Sequence, residues 1–351
     1  MAGAEPEGMT VEVVKVLGYL FVFPGVVFLF AYATFAEWFD RKVYARLQNR
    51  IGPLHTGSGG ILQPVADFIK LMSKEDIVPA QADKGLFNAL PLFSLASALA
   101  AFIMIPVFRV SLPYTSFPGD LIVVVYLLSI PTIVYFLAGW SSTNYYAMVG
   151  AFRNLTQLFG YEVPLFLALL APAMLAGSWA NGTWLSANWQ ISEVGKFYMA
   201  HPYLIPVNII GFVVALIALQ AKLERVPFDA PEAETEIVAG ALTEYSGKKL
   251  ALFRLTVDIE MVTGSALIAA VFLGGFVLAP VHLGTIDLSS LFSLLLFVAK
   301  TLFVIALLSL GKALMGRLRI DQTVAFSWRW LAPAALLQIL ISIVLKGILK
   351  V

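Results

Sequence analysis

The sequence predicts an all-α, polytopic membrane helix bundle of about eight transmembrane helices, with an amphipathic helix at the membrane interface. The first observation is composition: 60% of the 351 residues are hydrophobic and 13% are charged, whereas soluble domains carry about 25% charged residues. The second is that eight segments are apolar over roughly 20 residues, the length needed to cross a bilayer. The third is a segment with helical amphipathic spacing. Residues 1–351 are therefore expected to form a single membrane domain.

The eight predicted spans are separated by polar or turn-rich connections. In chain order they cover about residues 13–36, 86–108, 119–140, 155–178, 203–221, 252–279, 288–311 and 326–346. The first ten residues are acidic and lack the basic region of a signal peptide, so the first span is expected to be retained. No internal repeat is evident, which argues against an inverted-repeat transporter.

The distribution of basic residues predicts the orientation. Seventeen Lys and Arg residues fall on the face that carries the long loops, and five fall on the other face. Because cytoplasmic loops are enriched in Lys and Arg, we expect a cell (inner) membrane protein with both termini outside. The loops at about 37–85, 222–251 and 312–325 are then cytoplasmic.

The first of these loops contains the predicted interfacial helix, at about residues 61–74. Gly and Pro residues precede it as a turn-rich connection. Apolar side chains then recur at helical spacing, with Asp67 and Lys70 between them. This pattern is typical of a short helix that lies along the membrane surface.

The loop at about 222–251, which joins the fifth and sixth predicted spans, is rich in acids. Five carboxylates fall within 13 residues, and they are Glu224, Asp229, Glu232, Glu234 and Glu236. A solvated acidic loop is the simplest interpretation. Apolar neighbours argue for partial burial instead, and they are Val226, Pro227, Phe228, Ile237 and Val238. Crowded, buried carboxylates have raised, coupled pKa values and can hold protons near neutral pH, as a proton relay requires.

Four ionisable residues fall inside predicted spans or at their ends. Glu162 is expected near the cytoplasmic end of the fourth span, Asp258 and Glu260 within the sixth, and Lys300 near the middle of the seventh. Ionisable groups at bilayer depth are functional candidates by default. The alternatives are a structural ion pair of Lys300 with Asp258 or Glu260, and a hydrated interfacial position for Glu162.

The segment after the first span carries a further cluster, Glu37–Pro53. Attraction to anionic lipid explains basic residues at this place, but not Gln48-Asn49-Arg50 followed by Gly-Pro. Because Arg binds planar anionic groups well, this segment is expected to bind a partner subunit or a substrate headgroup.

The residue inventory limits the chemistry of the chain itself. There are no cysteines and three histidines, far apart in sequence, so a disulfide framework and an iron–sulfur cluster on thiolates of this chain are excluded. No motif for a nucleotide, a zinc ion or a nucleophile triad is present, and the net charge of +1 gives no reason to expect nucleic acid. We expect no metal and no bound cofactor, with any redox centres on partner subunits.

Several stretches together resemble one membrane-subunit family of respiratory complex I (NADH-quinone oxidoreductase), the family of mitochondrial NADH dehydrogenase subunit 1. They are Arg46–Pro53, Gly60–Asp67 with Lys70, Lys74–Ile77 with Pro79, Glu224–Asp229, Pro231–Glu234 with Glu236, Val238–Gly240 and Glu244–Gly247. Glu162, which follows Tyr161, is similar to the acid of the family's fourth span. The resemblance covers nearly the whole chain in the right order. Related subunits also occur in membrane-bound hydrogenases and ferredoxin-linked complexes.

The resemblance implies a translocase function and specific site residues. A member of this family anchors the iron–sulfur arm, forms most of the quinone chamber between spans one and six and the amphipathic helix, and couples quinone reduction to proton or sodium translocation. The electron donor would be NADH, ferredoxin or F420H2. The implied relay residues are Glu162, Glu224, Asp229, Glu232, Glu234 and Glu236, and the charges inside the spans, Asp258, Glu260 and Lys300, are predicted to continue the relay. Arg46 and Arg50 would lie near the chamber or the contact with the peripheral arm. The predicted residues for quinone or partner binding are Glu37, Arg41, Arg46, Gln48, Arg50, Asp67, Lys70, Phe228 and Glu244.

The resemblance also implies the partners. Iron–sulfur subunits would bind the cytoplasmic loops, antiporter-like and small membrane subunits and lipid would surround the spans, and quinone would be the substrate. Exchange of Glu234 or Glu162 for Gln is then expected to abolish pumping.

One departure from the family pattern keeps an alternative open. In the quinone enzymes a run after the Glu244–Gly247 stretch tends to end in Ala-Glu-Tyr, and here Val257 takes the position of that Glu, with Asp258 and Glu260 just beyond. Either the acid has shifted, or the chain belongs to a hydrogenase-like branch without quinone. A stand-alone secondary transporter is the other alternative.

Overall fold

The computed structural model describes residues 16–107, 116–177, 187–276, 282–283, 286–287 and 289–349, and in this part of the chain it contains eight helices that are long and apolar enough to cross a membrane. The prediction of an eight-span helix bundle is confirmed. Spans one to eight are Val16–Leu47, Lys84–Ile103, Asp120–Ser141, Tyr145–Leu175, Pro202–Lys222, Gly247–Phe272, Leu291–Leu314 and Ile320–Ile348.

The individual helices follow these spans, with breaks at turns. They are α1 Val26–Leu47, α2 Gln63–Ser73, α3 Lys84–Ile103, α4 Asp120–Ser141, α5 Tyr145–Leu175, α6 Ile191–Ala200, α7 Ile209–Lys222, α8 Glu234–Ile237, α9 Gly247–Phe272, α10 Ser289–Leu314, α11 Ile320–Phe326 and α12 Ala332–Leu349. Short 3₁₀ turns lie at Ser58–Gly60, Pro202–Leu204, Pro206–Asn208, Ala230–Glu232 and Gly240–Leu242, and a π turn Ser327–Leu331 joins α11 to α12. Two short strands, β1 His282–Leu283 and β2 Ile286–Asp287, pair antiparallel.

Span six (α9) lies at the centre of the bundle. Every residue from Ile259 to Phe272 is buried, and the helix packs against spans one, two and seven. Small residues permit this close packing: a Cβ atom on Gly264 would lie only 2.4 Å from Leu219 Cδ1. The position of α9 places Asp258 and Glu260, near the middle of the helix, among neighbouring elements rather than in lipid.

Span one is longer than the predicted segment 13–36, because α1 continues as a helix to Leu47. Residues 37–47 contain no Gly or Pro to end the helix, and Glu37 and Arg41 pair across one turn at 2.5 Å, a spacing that stabilises helices. The chain turns away after Asn49, which has a φ of 57°. The first part of the Glu37–Pro53 cluster is therefore helical rather than loop.

Span four is longer than predicted at its start. The helix α5 begins at Tyr145, where Asn144 accepts a hydrogen bond from the Tyr146 backbone N–H at 2.8 Å, as an N-cap residue does. Glu162 therefore lies in the middle of a 31-residue helix, and its predicted position near the cytoplasmic end is wrong.

The amphipathic helix is confirmed as α2, Gln63–Ser73, within the predicted range of 61–74. Pro64 lies in its first turn, where the missing N–H of proline costs nothing. Phe68 packs edge-to-face on Phe30 of span one, with ring centroids 5.4 Å apart. This contact holds α2 against the side of span one.

Candidate functional site

A cavity of about 550 Å³ opens between span one, α2, span six and the acidic loop. Span one supplies Thr34, Glu37, Asp40, Arg41 and Tyr44, α2 supplies Pro64, Asp67, Phe68 and Leu71, and span six supplies Ala251, Arg254, Leu255, Val257 and Asp258. The loop supplies Leu223, Glu224, Arg225, Val226, Asp229 and Glu232, and span seven supplies Lys312. Seven carboxylates and four cations thus line one cavity, where each sign of charge can be balanced locally.

Arg225 holds the inner wall of this cavity together. Its guanidinium donates to Asp40 Oδ1 at 3.0 Å and lies 4.0 Å from a Glu37 carboxylate oxygen. Asp40 also accepts a hydrogen bond from the Ser309 hydroxyl at 2.5 Å. Burial opposes the charge on Arg225, but the carboxylates of Asp40 and Glu37 outweigh it and raise the pKa of the guanidinium.

Arg41 connects span one to α2. Its Nε lies 2.5 Å from Glu37 Oε1 and its Nη1 lies 2.8 Å from Asp67 Oδ2. The Gln63 side-chain amide donates to the other oxygen of Asp67 at 3.0 Å. This network fixes the amphipathic helix at the mouth of the cavity.

The acidic loop divides into two halves with different surroundings. The inner half, Glu224–Glu232, contributes Glu224, Asp229 and Glu232 to the cavity wall. The outer half, Ala233–Val238, exposes Glu234 and Glu236, because the single turn α8 points Ile237 inward and its acids outward. The expected crowding of all five carboxylates is therefore wrong for the last two.

The apolar residues of the loop also differ from one another in exposure. Phe228 and Ile237 are 3% and 4% exposed, but Val238 is 56% exposed, so its expected role in burying the loop is wrong. The Phe228 ring stacks near Phe326 of α11, with centroids 6.5 Å apart. Phe228 therefore anchors the loop in the core and does not line the cavity.

Side chains from span four and from the connection between spans seven and eight hold both halves of the loop. Gln157 of span four donates from Nε2 to the carbonyls of Ala221 and Phe228, at 2.7 and 2.8 Å. Arg317 forms a two-pronged pair with Asp229, at 2.8 Å from Nε and 2.6 Å from Nη2. Arg153 binds Glu236 at 2.7 Å near the surface.

Glu224 lies where the large cavity meets a smaller one of about 40 Å³. Burial raises the pKa of the Glu224 carboxyl well above its usual range, and the neighbouring acids Glu232 and Glu260 raise it further against the opposing effect of Lys222 and Arg254. Glu224 is therefore suited to hold a proton near neutral pH.

A buried ion pair lines the smaller cavity. Lys222 Nζ lies 2.7 Å from Glu260 Oε1, and both side chains are less than 5% exposed. Lys222 also donates to the Leu128 carbonyl, and the hydroxyl of the next residue, Ser129, donates to Glu162. These contacts connect the cavity with the middle of span four. We call them the Glu224–Glu162 route, which consists of Glu224, Lys222, Glu260, Leu128, Ser129 and Glu162.

Lys300 lies away from this route. Its ammonium donates to the carbonyls of Leu273 and Gly275, at 2.6 and 2.7 Å. These carbonyls lie past the end of α9, more than three helical turns along the chain from Asp258 and Glu260. The expected ion pair of Lys300 with either acid is wrong, and Lys222 is the partner of Glu260.

The remaining predicted residues lie outside both cavities. Arg46, Arg50 and Lys70 are exposed, and Arg50 donates to Gln48. Glu244 accepts from the Asn144 amide at 2.5 Å, between the third loop and the start of span four. The cavities do include Asp40, Lys222, Arg225, Arg254 and Lys312, which were not among the predicted site residues.

A few of these missed residues carried a sequence signal. Asp40 belongs to the charged Glu37–Pro53 cluster, and Arg225 follows Glu224 directly. Lys222 stands at the end of the fifth apolar segment, where a cation is ordinarily attributed to orientation in the membrane. Only the helix packing shows that it turns inward.

Comparison with known proteins gives consistent relatives. The family described as NADH dehydrogenase matches residues 20–343. NADH-quinone oxidoreductase subunit 8 of Thermus thermophilus is 40% identical over 334 residues, covering 92% of this chain and 84% of the relative. A subunit of the F(420)H(2) dehydrogenase of Methanosarcina mazei is 36% identical over 330 residues, with 91% and 89% covered. A chain of the membrane-bound sulfane sulfur reductase, an archaeal respiratory membrane complex, superposes with a TM-score of 0.73 at 26% identity, over 90% of this chain and 97% of that one.

Proposed function

The chain belongs to the NADH dehydrogenase family and is a multi-pass membrane subunit of a complex I-type oxidoreductase, and from this premise we propose that it couples electron transfer at its charged cavity to ion translocation. One observation carries the proposal: the cavity lined by seven carboxylates and four cations continues through a smaller cavity to a buried ion pair inside the membrane domain. A change of charge in the cavity can therefore act on ionisable groups that lie deeper in the membrane domain.

Quinone is the proposed substrate of the cavity. A quinone that takes two electrons from a partner's iron–sulfur cluster also takes two protons to become the quinol. Acids in the cavity wall, with Glu224 and Asp258 foremost, are placed to supply these protons, and their loss leaves negative charge on the wall. Val257 takes the position at which the quinone enzymes tend to have a Glu, and Asp258 lines the cavity next to it. Asp258 can therefore supply a proton in place of that Glu.

The proposed relay follows the contacts of the described residues. Glu224, Glu232 and Asp258 exchange protons with the cavity, and Glu260 and Glu162 carry the electrostatic change inward. Asp229 stays paired with Arg317 at the edge. Lys300, with its carbonyl partners elsewhere, is left out of the relay.

The exposed charged residues are proposed as contacts for the iron–sulfur arm. Arg46, Arg50, Lys70, Glu234 and Glu236 lie on the connections that share one face of the bundle, and this face is proposed to be cytoplasmic, with both termini outside. Antiporter-like and small membrane subunits and lipid would then contact the apolar sides of the spans. This chain would bind no redox cofactor of its own.

A second candidate function is ion coupling without quinone, as in a sulfur- or proton-reducing complex. The specific observation in its favour is the density of charge in the cavity wall, which suits water and protons better than an apolar isoprenoid tail. The likeness to the sulfane sulfur reductase chain agrees with this candidate. Membership in a family of complex subunits removes the stand-alone transporter from consideration.

The test uses the whole complex, purified gently through a tag on this chain. Electron transfer from reduced ferredoxin, NADH or F420H2 to a short-chain quinone is measured, together with hydrogen and sulfide formation. Quinone reduction supports the first candidate, and product formation without quinone reduction supports the second. Purification of the chain without iron–sulfur partners would contradict both.

A further inference from the structure

Lys222 places a positive charge in the middle of the Glu224–Glu162 route. It stands at the cytoplasmic end of span five, where a lysine normally extends to the membrane surface. Here the side chain is 1% exposed and turns inward to Glu260, which is 4% exposed. A cation so deeply buried costs several kcal/mol in desolvation, so its position calls for a specific reason.

Lys222 lines the smaller cavity together with three acids, Glu224, Glu232 and Glu260. Its ammonium donates to Glu260 and to the Leu128 carbonyl, which is followed in the chain by the hydroxyl residue that binds Glu162. Its charge also interacts with that of Glu224 across this cavity. The ammonium can therefore be attracted by either Glu260 or Glu224.

We propose that Lys222 is the positioning residue that transmits a change of charge at Glu224 to Glu162, and this inference rests on the proposed coupling function. While Glu224 is protonated, the ammonium stays with Glu260 and the Leu128 carbonyl. When Glu224 gives its proton to the cavity, the new carboxylate attracts the ammonium across the smaller cavity. Of Lys222 itself, only the position of the side chain changes.

The movement changes the surroundings of Glu162. The charges of Glu260 and Glu162 repel each other, and the ammonium neutralises Glu260 only while the two are paired. When Lys222 leaves, the Glu260 carboxylate repels negative charge on Glu162 more strongly. The change at the cavity thereby becomes a change in electrostatic potential in the middle of span four.

The hydroxyl of Ser129 gives Glu162 the means to respond. It donates to Glu162 and also lies 2.9 Å from the Val125 carbonyl of its own helix. This hydrogen bond therefore positions the Glu162 carboxylate, and its removal would uncouple Glu162 from a movement of Lys222.

The test compares variants in which the buried charges are removed together. Removal of Lys222 alone would leave Glu260 without its cation and destabilise the fold, so the informative variant is Lys222→Gln with Glu260→Gln. The whole complex is reconstituted in liposomes, and both electron transfer and ions translocated per electron are measured. Wild type is measured first, because a wild-type complex that transfers electrons without translocating ions would reject the proposed function itself.

The expected result is a double variant that keeps electron transfer within about threefold of wild type but translocates at least tenfold fewer ions per electron. A merely structural ion pair predicts normal translocation in an assembled complex, so a ratio within twofold of wild type would overturn the proposal. Lys300→Met is the matched control, since it removes a second lysine that donates to backbone carbonyls, and it should leave the ratio unchanged.

A second variant keeps the proposal testable if the double variant does not assemble. Ser129→Ala removes only the hydroxyl that binds Glu162 and should fold normally. We expect it to lower the number of ions per electron by at least fivefold, with electron transfer retained. Wild-type translocation in Ser129→Ala would contradict the transmission from Lys222 to Glu162.

Discussion

The inner and outer halves of the acidic loop contain the same kind of residue in opposite environments. In the inner half, Glu224 adjoins both cavities and the buried charges of span six. In the outer half, Glu236 is 52% exposed and pairs with Arg153 at the surface. Solvent screens charge in the outer half more than in the inner half, which is buried more deeply among protein groups. A carboxylate can therefore act in coupling in one half and in partner binding in the other.

Loss of the Arg225 cation should have the largest effect. In Arg225→Met, Asp40 loses its paired cation and Glu37 loses the more distant of its two cations, and loss of one partner of a buried pair costs about 3–5 kcal/mol. We expect little assembled complex on native gels and a much lower unfolding temperature. Arg153→Met is the control in the outer half, where an exposed pair contributes about 0–1 kcal/mol. Equal losses in the two variants would break the distinction between the halves.

The second prediction concerns coupling. In Glu224→Gln, the side chain keeps its size but can no longer exchange a proton, so ions translocated per electron should fall at least tenfold. Glu234→Gln should keep the wild-type ratio, because its side chain faces outward, and this replaces the expectation from sequence that it abolishes pumping. The measurement is ion uptake by liposomes that contain the complex. Normal uptake with Glu224→Gln would contradict the assignment.

The pH dependence of stability should also distinguish Glu224. Its pKa is raised in the folded chain above the ordinary value of 4.5, so the folded state binds more protons than the unfolded state at pH values between the two. Stability then falls as pH rises through this range, by up to about 1.4 kcal/mol per pH unit. Glu224→Gln should flatten the dependence of unfolding temperature on pH, and Glu234→Gln should leave it unchanged. If the unfolding temperature fell equally with pH in the wild type and both variants, the pKa of Glu224 would not be raised by folding.

The pair of Asp229 and Arg317 lies at the boundary between the halves, with side chains 17% and 36% exposed. Its two-pronged geometry favours a contribution above that of a typical surface pair, and we expect Asp229→Asn to cost about 1 kcal/mol. Reversal of both charges, Asp229→Arg with Arg317→Asp, should restore part of the stability that each single reversal loses. Thermal unfolding of the wild type, the two single reversals and the double reversal gives the coupling energy directly, and additive losses would mean that the pair contributes nothing.

The sequence predicted the spans and the amphipathic helix well, because both depend on hydrophobic pattern along one chain. It predicted Glu37, Arg41, Asp67, Glu224 and Asp258 as site residues, and the structure brings them to one cavity.

The pairing of buried charges could not be predicted from the sequence. An ion pair of Lys300 with Asp258 or Glu260 was one alternative from the sequence, yet the partner of Glu260 is Lys222, which precedes it by 38 residues and reaches it only through the packing of spans five and six. The extension of span one to Leu47 was missed for a related reason. Residues 37–47 are too polar to be predicted as part of a membrane span. Their charges nevertheless pair with one another across a helical turn and with Asp67 of α2.

The central claim, that Glu224 exchanges a proton when electrons arrive, is tested most directly by redox-induced infrared difference spectroscopy of the purified complex. The account predicts a carboxyl band that changes on reduction in wild type, is absent in Glu224→Gln and persists in Glu234→Gln. If the band persists unchanged in Glu224→Gln, another group takes part in the exchange and the account is wrong.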